Sequence, residues 1–263
     1  MLPKNLILVR HGQSEGNVAQ HASRKGDNRF FTPEFRERHS SSFHLTEKGI
    51  AQAVCAGTWL RHYLPFALDR FYVSDYVRAM ETAGHMHLSD AQWRREFHLR
   101  ERDMALMDNI TEEEKRERYA LEVEEWEKHS FFSTPAGGGE SVAQLCMRLK
   151  TTMLTHWARE CPNDSIIAVC HERVIRGFQV EIESLLPEDF LRLINSKQPW
   201  DKMRNGQIVW YTRFDPWTGE EHPHIVAVRI VCPWDLIGGV YGWRRIERKT
   251  WSNEELLAEA AKR

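Results

Sequence analysis

Short, unbroken apolar runs that stop abruptly on charged or imidazole-bearing residues mark this chain. Leu6-Ile7-Leu8-Val9 is one such run and halts at Arg10-His11-Gly12. A run of that length without alternation predicts a strand buried on both faces. Residues 165–170 (SIIAVC) repeat the pattern and halt at His171. Residues 70–73 predict a further strand ending at Ser74-Asp75, and residues 92–97 another. Between these runs the apolar spacing turns helical. Helices are expected over 46–63 with Thr46 as N-cap, over 77–86, from about 140 until Pro162 closes the helix, and over 174–185. Strands alternating with helices imply a largely parallel sheet.

Towards the C-terminus the order changes. Residues 207–214 and 224–231 flank Asp215-Pro216-Trp217-Thr218-Gly219, which predicts a strand pair joined by a turn-rich loop. A short exposed helix is expected over 252–263, capped by Ser252 with Glu255 three residues on. Two segments interrupt the core pattern. Residues 20–43 are polar and basic, and residues 111–130 form a highly charged helical stretch that predicts a solvated face. Gly137-Gly138-Gly139 marks a return to the core. The expected organisation is a three-layer α/β/α sandwich forming one domain over 1–263. It carries insertions near 20–43 and 103–137, which form a cap, and a short C-terminal extension over 233–263.

Composition narrows the class. A chain of 263 residues buries a sizeable core without crosslinks, and a formal net charge of −2 provides no basic field for general nucleic-acid binding. The five cysteines, at 55, 146, 161, 170 and 232, are scattered and form no CxxC pair, which argues against a disulfide framework or a zinc site. No stretch approaches the length of a membrane span. A soluble cytoplasmic protein is the expectation.

The chemistry concentrates at the predicted strand ends, where open α/β sheets bind ligands. Arg10 offers a rigid fork of donors suited to phosphate oxygens, Gly12 and Gly16 let the backbone turn closely around an anion, and Asn17 supplies an amide donor. His171 follows its strand as His11 follows the first, so two imidazoles can converge on one ligand. Ser74 and Arg78 add a third strand end and the start of a helix. Cationic side chains would neutralise a phosphate without a metal. No HxH, HExxH or clustered Asp pattern is present.

With those residues in place, the chain resembles the histidine phosphatase superfamily, also called the phosphoglycerate mutase-like family, over roughly residues 5–215. The LTEKG segment at 45–49, SDYVRAMETA at 74–83, LRER at 99–102 and GES at 139–141 look like further landmarks in the family's order. The resemblance implies that His11 is the nucleophile that becomes phosphorylated. It also implies that Arg10, Arg78 and His171 form the phosphate pocket, that Asn17 adds a hydrogen bond, and that Glu101 protonates the leaving group and later activates water. Glu96, Asp103 and Asp108 crowd the same stretch as alternative acids, and Cys170 beside His171 is a rival nucleophile that reads better as a buried small hydrophobe. No cofactor is implied. The expected partner is a small phosphorylated substrate or a phosphoprotein, and neither nucleic acid nor a membrane.

Three positions depart from the family pattern. Gln13 stands where many members have Glu, Ala105 replaces a usual Gly, and Glu172 follows His171 where Gly is usual. Glu172 should repel a phosphate unless Arg176, four residues on, neutralises it, and its acid should favour the charged form of His171. The Glu-rich stretch after Thr111 lacks the basic insertions a mutase would use, so a phosphomonoester hydrolase is favoured. Phosphoglycerate-mutase-type phosphotransfer and a weakly catalytic phospho-ligand-binding regulatory module are the alternatives.

Overall fold

The computed structural model describes residues 1–235 and 238–262. The chain opens with β1 (Asn5–Arg10), α1 (Glu15–Ser23), α2 (Pro33–Glu37), α3 (Glu47–Tyr63), β2 (Arg70–Val73), α4 (Val77–His85) and β3 (Trp93–Arg95). It continues with α5 (Glu112–Arg118), α6 (Ala120–His129), α7 (Val142–Leu149), a π-helical segment (Lys150–Leu154), α8 (Thr155–Glu160), β4 (Ser165–Cys170), α9 (Glu172–Glu183) and α10 (Pro187–Asn195). The remaining elements are β5 (Ile208–Thr212), β6 (Ala227–Val231), β7 (Val240–Arg245) and α11 (Asn253–Ala260). The seven strands form one sheet in the order β3-β2-β4-β1-β5-β6-β7. β1 to β4 run parallel, and β5, β6 and β7 each join antiparallel to their neighbour.

The strict two-residue period of a strand explains the layers. In β1, Leu6 and Leu8 face one apolar cluster while Ile7 and Val9 face another. In β4, Ile166, Ala168 and Cys170 share the first side, and Ile167 and Val169 the second. The first cluster is closed by α7, α8 and α9 through Leu145, Leu149, Trp157, Ile175 and Phe178, and the second by α3 and α4 through Ala56, Trp59, Leu60, Ala79 and Ala83. Covering both faces is what makes these strands uninterrupted in hydrophobicity. Each fully buried Leu or Ile contributes roughly 1.5–3 kcal/mol. Thr46 caps α3 as expected, its side chain accepting from the Gly49 amide.

The two stretches that interrupt the core pattern, expected to form a cap, pack against each other. α5 leans on the earlier one: Arg36 pairs with Glu114 at 2.9 Å, the Asn28 amide group donates to Glu113 at 3.2 Å, and the Glu112 amide donates to Ser23 Oγ at 2.9 Å. Phe31, Phe35 and Phe43 with Ala19 form a small core beneath. The basic 20–43 stretch and the acidic 111–130 stretch thus face one another, so the expectation of a plain solvated face is only half met. The charged helix is also broken, at Tyr119, into α5 and α6.

Three boundaries differ from the sequence reading. The last parallel-layer helix starts at Glu172 rather than 174, so His171 is its N-cap. The 92–97 strand shrinks to Trp93–Arg95. The C-terminal extension contributes β7, whose half-exposed, polar sequence VYGWRR hides an edge strand. The tail helix covers Asn253–Ala260 with the Ser252–Glu255 capping box, and Arg263, where it was expected to end, lies outside the described residues. No helix among the described residues is long and apolar enough to cross a membrane.

Candidate active site

Strand register brings the two histidines together. Arg10 lies opposite Cys170 in the parallel β1–β4 pair, and the His11 amide donates to the Cys170 carbonyl at 3.0 Å. The next residue on each strand is a histidine, so the rings stand in adjacent rows with centroids 5.2 Å apart and planes at 61°. β2 ends level with them: the Ser74 amide donates to the Val169 carbonyl, and Ser74 Oγ lies 2.9 Å from His171 Nε2. Arg78, in the first turn of α4, donates from Nε to His11 Nε2 at 3.1 Å and from Nη1 to the Ser40 carbonyl at 2.6 Å.

These contacts settle the state of His11. Its Nδ1 lies 2.7 Å from the Gly12 carbonyl, which only accepts, so Nδ1 carries the proton. Nε2 then presents a lone pair, which the Arg78 Nε–H meets. Burial, then the positive charges of Arg78 and Arg10, hold the His11 pKa well below the ordinary imidazole value, so the ring is neutral near pH 7. An uncharged imidazole nitrogen so aimed is a competent nucleophile. His171 is fully buried and likewise held neutral by burial and by Arg78, His11 and Arg10. Its Nδ1 makes no hydrogen bond among the described residues, nor does Arg10 Nε. Buried polar atoms are rarely left so, and both belong to the residues expected to hold a phosphate.

The loop after β1 is pinned by backbone contact. The Gly12 amide donates to Thr82 Oγ1 at 3.0 Å, and Thr82 returns its proton to the Arg78 carbonyl at 2.7 Å. A Cβ on Gly12 would lie 2.3 Å from the Gly49 carbonyl oxygen, and one on Gly49 would lie 2.1 Å from that of Gln13. Only paired glycines permit that approach of loop and helix. Gln13 accepts from the Thr46 hydroxyl at its side-chain oxygen, 3.1 Å away, so the Glu-to-Gln departure is accommodated in the same seam. Asn17 closes the α1 capping box, its side-chain oxygen accepting from the Ser14 amide at 3.1 Å and from Asn205 Nδ2 at 3.0 Å. The Asn17 oxygen is therefore committed, and its NH₂ is the group left to donate. Asn205 also donates to the His11 carbonyl at 3.1 Å. Asn205 and Thr82 escaped the sequence reading. Thr82 had one signal, its place one helical turn after Arg78, whereas Asn205 had none.

Glu172 corrects an expectation. Its carboxylate pairs with Arg10 Nη2 at 3.0 Å and not with Arg176, which donates instead to Gln179 Oε1 and the Asp201 carbonyl. The i,i+4 pairing fails because Glu172 is the first residue of α9 and turns to the strand end, where Arg10 waits. Glu172 does not make His171 cationic either, since the carboxylate is spent on Arg10 and burial among cations dominates the imidazole. Arg10 is anchored a second time by the Met203 carbonyl, 2.5 Å from Nη1.

Glu101 stands among the same groups. Its Oε1 accepts from the Arg102 amide at 3.0 Å, and burial raises its pKa, opposed by Arg78 and Arg10 and reinforced by Glu172. A carboxyl whose pKa is raised keeps its proton to higher pH and can donate it. Of the competing acids, Asp108 accepts from the Asn109 amide at 3.1 Å while its charge also acts on Arg78, and the other two are engaged elsewhere. Glu96 pairs with His98 at 2.7 Å, and Asp103 caps the Ala105 amide at 2.8 Å. Ala105 itself sits at φ +43°, the left-handed region that favours the glycine it replaces. Cys170 is wholly buried with its thiol pushed up by that burial, as a core residue. Among the described residues no group of three or more His, Cys, Asp or Glu could hold a metal ion.

Comparison with known proteins agrees with this architecture. A 2,3-bisphosphoglycerate-dependent phosphoglycerate mutase from Rhizobium etli is 28% identical over 194 residues, 72% of this chain and 84% of that protein. Solved structures share the fold at lower identity. The α-ribazole phosphatase from Shigella flexneri superposes with a TM-score of 0.61 at 18% identity, covering 79% of this chain and 89% of that one. A mycobacterial glucosyl-3-phosphoglycerate phosphatase with inorganic phosphate does so with a TM-score of 0.60 at 18% identity, covering 94% and 96%. The family model for branch 1 of the histidine phosphatase superfamily matches residues 6–199, and the chain belongs to that superfamily.

Proposed function

We propose that the protein hydrolyses phosphomonoesters through a phosphohistidine on His11. The observation that carries this reading is the His11 tautomer: the Nδ1–H bond to the Gly12 carbonyl leaves an unprotonated Nε2 facing Arg78, beside His171 and Arg10, each of which has an unpartnered buried nitrogen. The Nε2 lone pair attacks phosphorus as the bond to the leaving oxygen breaks, and Glu101 gives its proton to that oxygen. Arg10, Arg78 and His171, with the Asn17 amide, take up the charge spread over the equatorial oxygens. Water then attacks the phosphohistidine, Glu101 accepts its proton, and phosphate leaves with His11 neutral again.

Hydrolysis is favoured over transfer by the state of the cap. Arg36 and Arg38 are in ion pairs with Glu114 and Glu15, and Arg100 with Asp75, so a second phosphate would have to compete with carboxylates for these cations. Phosphoglycerate-mutase-type phosphotransfer is the second reading, supported by the names of the sequence relatives. Rapid mixing with labelled phosphomonoester, an alkaline quench and peptide mapping test the proposal. Label is expected on the peptide containing His11, absent in His11→Ala, with release of inorganic phosphate that needs no bisphosphate primer. Label on the His171 peptide or on a Ser or Cys refutes the mechanism, and dependence on a bisphosphate primer refutes hydrolysis.

A further inference from the structure

Beside the phosphate pocket lies a cavity of about 300 Å³, the lower end of the range for small-molecule sites. It opens between the cap helix α6 and the core helices α7 and α10, and Trp126, Val123, Phe190, Leu191 and Ile194 give it an apolar side. Three arginines line it, and two of them, Arg102 and Arg173, each directly follow an acid of the site described above, Glu101 and Glu172.

The charges in the wall do not cancel. Lys115 pairs with Glu112 at 3.1 Å and Arg116 with Glu127 at 3.3 Å. That leaves Arg102 and Arg173 in excess. Arg102 is 4% exposed, donates from Nε to the Glu140 carbonyl at 2.7 Å and lies over the Trp126 ring at 4.9 Å, but its Nη2 is buried without a partner. Arg173 makes no hydrogen bond or ion pair among the described residues, and its charge helps burial push the Arg102 pKa down to about 10. Ser130 Oγ, also in the wall, is buried without a partner. Their nearest opposite charges lie outside the wall, Glu101 and Glu140 acting on Arg102 and Glu172 on the half-buried Arg173, so both guanidinia remain at the cavity surface with no lining carboxylate of their own. Apolar walls with a few convergent polar groups are the ordinary make-up of a small-molecule site.

We propose that this cavity is the leaving-group subsite of the phosphatase, and that it selects phosphomonoesters whose leaving group has a compact apolar or aromatic body ending in a carboxylate held by Arg173 and Arg102. The inference rests on the hydrolase reading above, and it adds the substrate class.

Three compounds test it: phenyl phosphate, 3-(4-phosphonooxyphenyl)propionate, and the primary amide of that propionate. The acid and the amide share size, apolar surface and reacting bond, and differ in one charge. The acid should show kcat/KM about 10-fold or more above the amide, the scale of one partly screened charge contact. In Arg173→Gln that ratio should fall to near one, and Arg173→Lys should keep part of it. Leu191→Glu, which places a like charge in the cavity, should invert the preference. Calorimetric titration with the phosphate-free 3-(4-hydroxyphenyl)propionate reads the cavity independently of turnover, with binding expected in the native protein and lost in Arg173→Gln. A ratio near one in the native enzyme, a ratio unchanged by Arg173→Gln, or no binding of the phosphate-free acid overturns the subsite. Failure to turn over even phenyl phosphate, with that acid still bound, strikes the hydrolase reading alone.

Discussion

Replacing Glu172 by Gln probes the most unusual contact in the phosphate pocket. Its carboxylate lies 3.0 Å from Arg10 Nη2, on a guanidinium that the proposed mechanism gives to the phosphate. It also occupies the first position of α9, where the helix dipole favours an anion. A phosphate dianion must therefore displace this carboxylate or share its cation. A pair of unit charges about 4 Å apart interacts by roughly 4 kcal/mol at an effective dielectric of 20. The Glu172 side chain is 34% exposed, so solvent screens a good part of that. A net gain of about 1.5–2.5 kcal/mol, roughly 10- to 100-fold in affinity, is expected for inorganic phosphate or vanadate in Glu172→Gln. Arg10 should keep its place in the variant because the Met203 carbonyl still holds Nη1. Glu172 also helps raise the Glu101 pKa. A general acid works protonated, so losing Glu172 should move the alkaline limb of kcat/KM to lower pH. Competitive inhibition by vanadate and a pH series read both effects. Weaker anion binding in the variant would refute the reasoning and make Glu172 the residue that orients Arg10.

Other outcomes follow from single residues. Glu101→Gln should lower turnover of an alkyl phosphate by roughly 10²–10⁴-fold and cost much less with nitrophenyl phosphate, and equal losses would refute proton donation. Ala105→Gly should stabilise the fold by about 0.5–1 kcal/mol. A left-handed L-residue costs about 1–2 kcal/mol, partly offset by the freedom glycine has when unfolded. Thermal unfolding should register this as a rise of about 1–4 °C. Activity should survive exhaustive chelation, and loss restored by a divalent ion would contradict a mechanism resting on arginines and imidazoles.

The strand ends were legible because strands buried on both faces read as unbroken apolar runs, and the residue after each run is the one that projects into the site. His11, His171 and Ser74 are all of that kind. Arg78 followed from its place at a helix start. What sequence spacing could not supply was contact between segments. Glu172 looked like a helical partner of Arg176, but the first residue of a helix faces what precedes it. The acidic insertion read as a solvated surface because its partner is the distant basic one, with Asn28 and Glu113 85 positions apart. Asn205 reaches His11 from 194 positions away. β7 was missed because an exposed edge strand has no apolar face to betray it.

The glycine seam along α3 has a mechanical consequence. At one end Gly49 lies against the Gln13 backbone, and at the other a Cβ on Gly57 would come 1.9 Å from the Met86 carbonyl, just past the helix that carries Arg78 and Thr82. α3 is thus a strut braced at both ends, main chain to main chain, with no side chain between to act as a cushion. The loop after β1 and the helix α4 form one stiff frame. The cap rests on ion pairs and a small phenylalanine cluster. Amide exchange should divide along that line: Arg10, His11 and Gly12 should exchange only when the whole molecule opens, and α5 and α6 far sooner. Such a body can let the 20–43 and 111–130 stretches change over evolutionary time while the strand ends keep their tolerances.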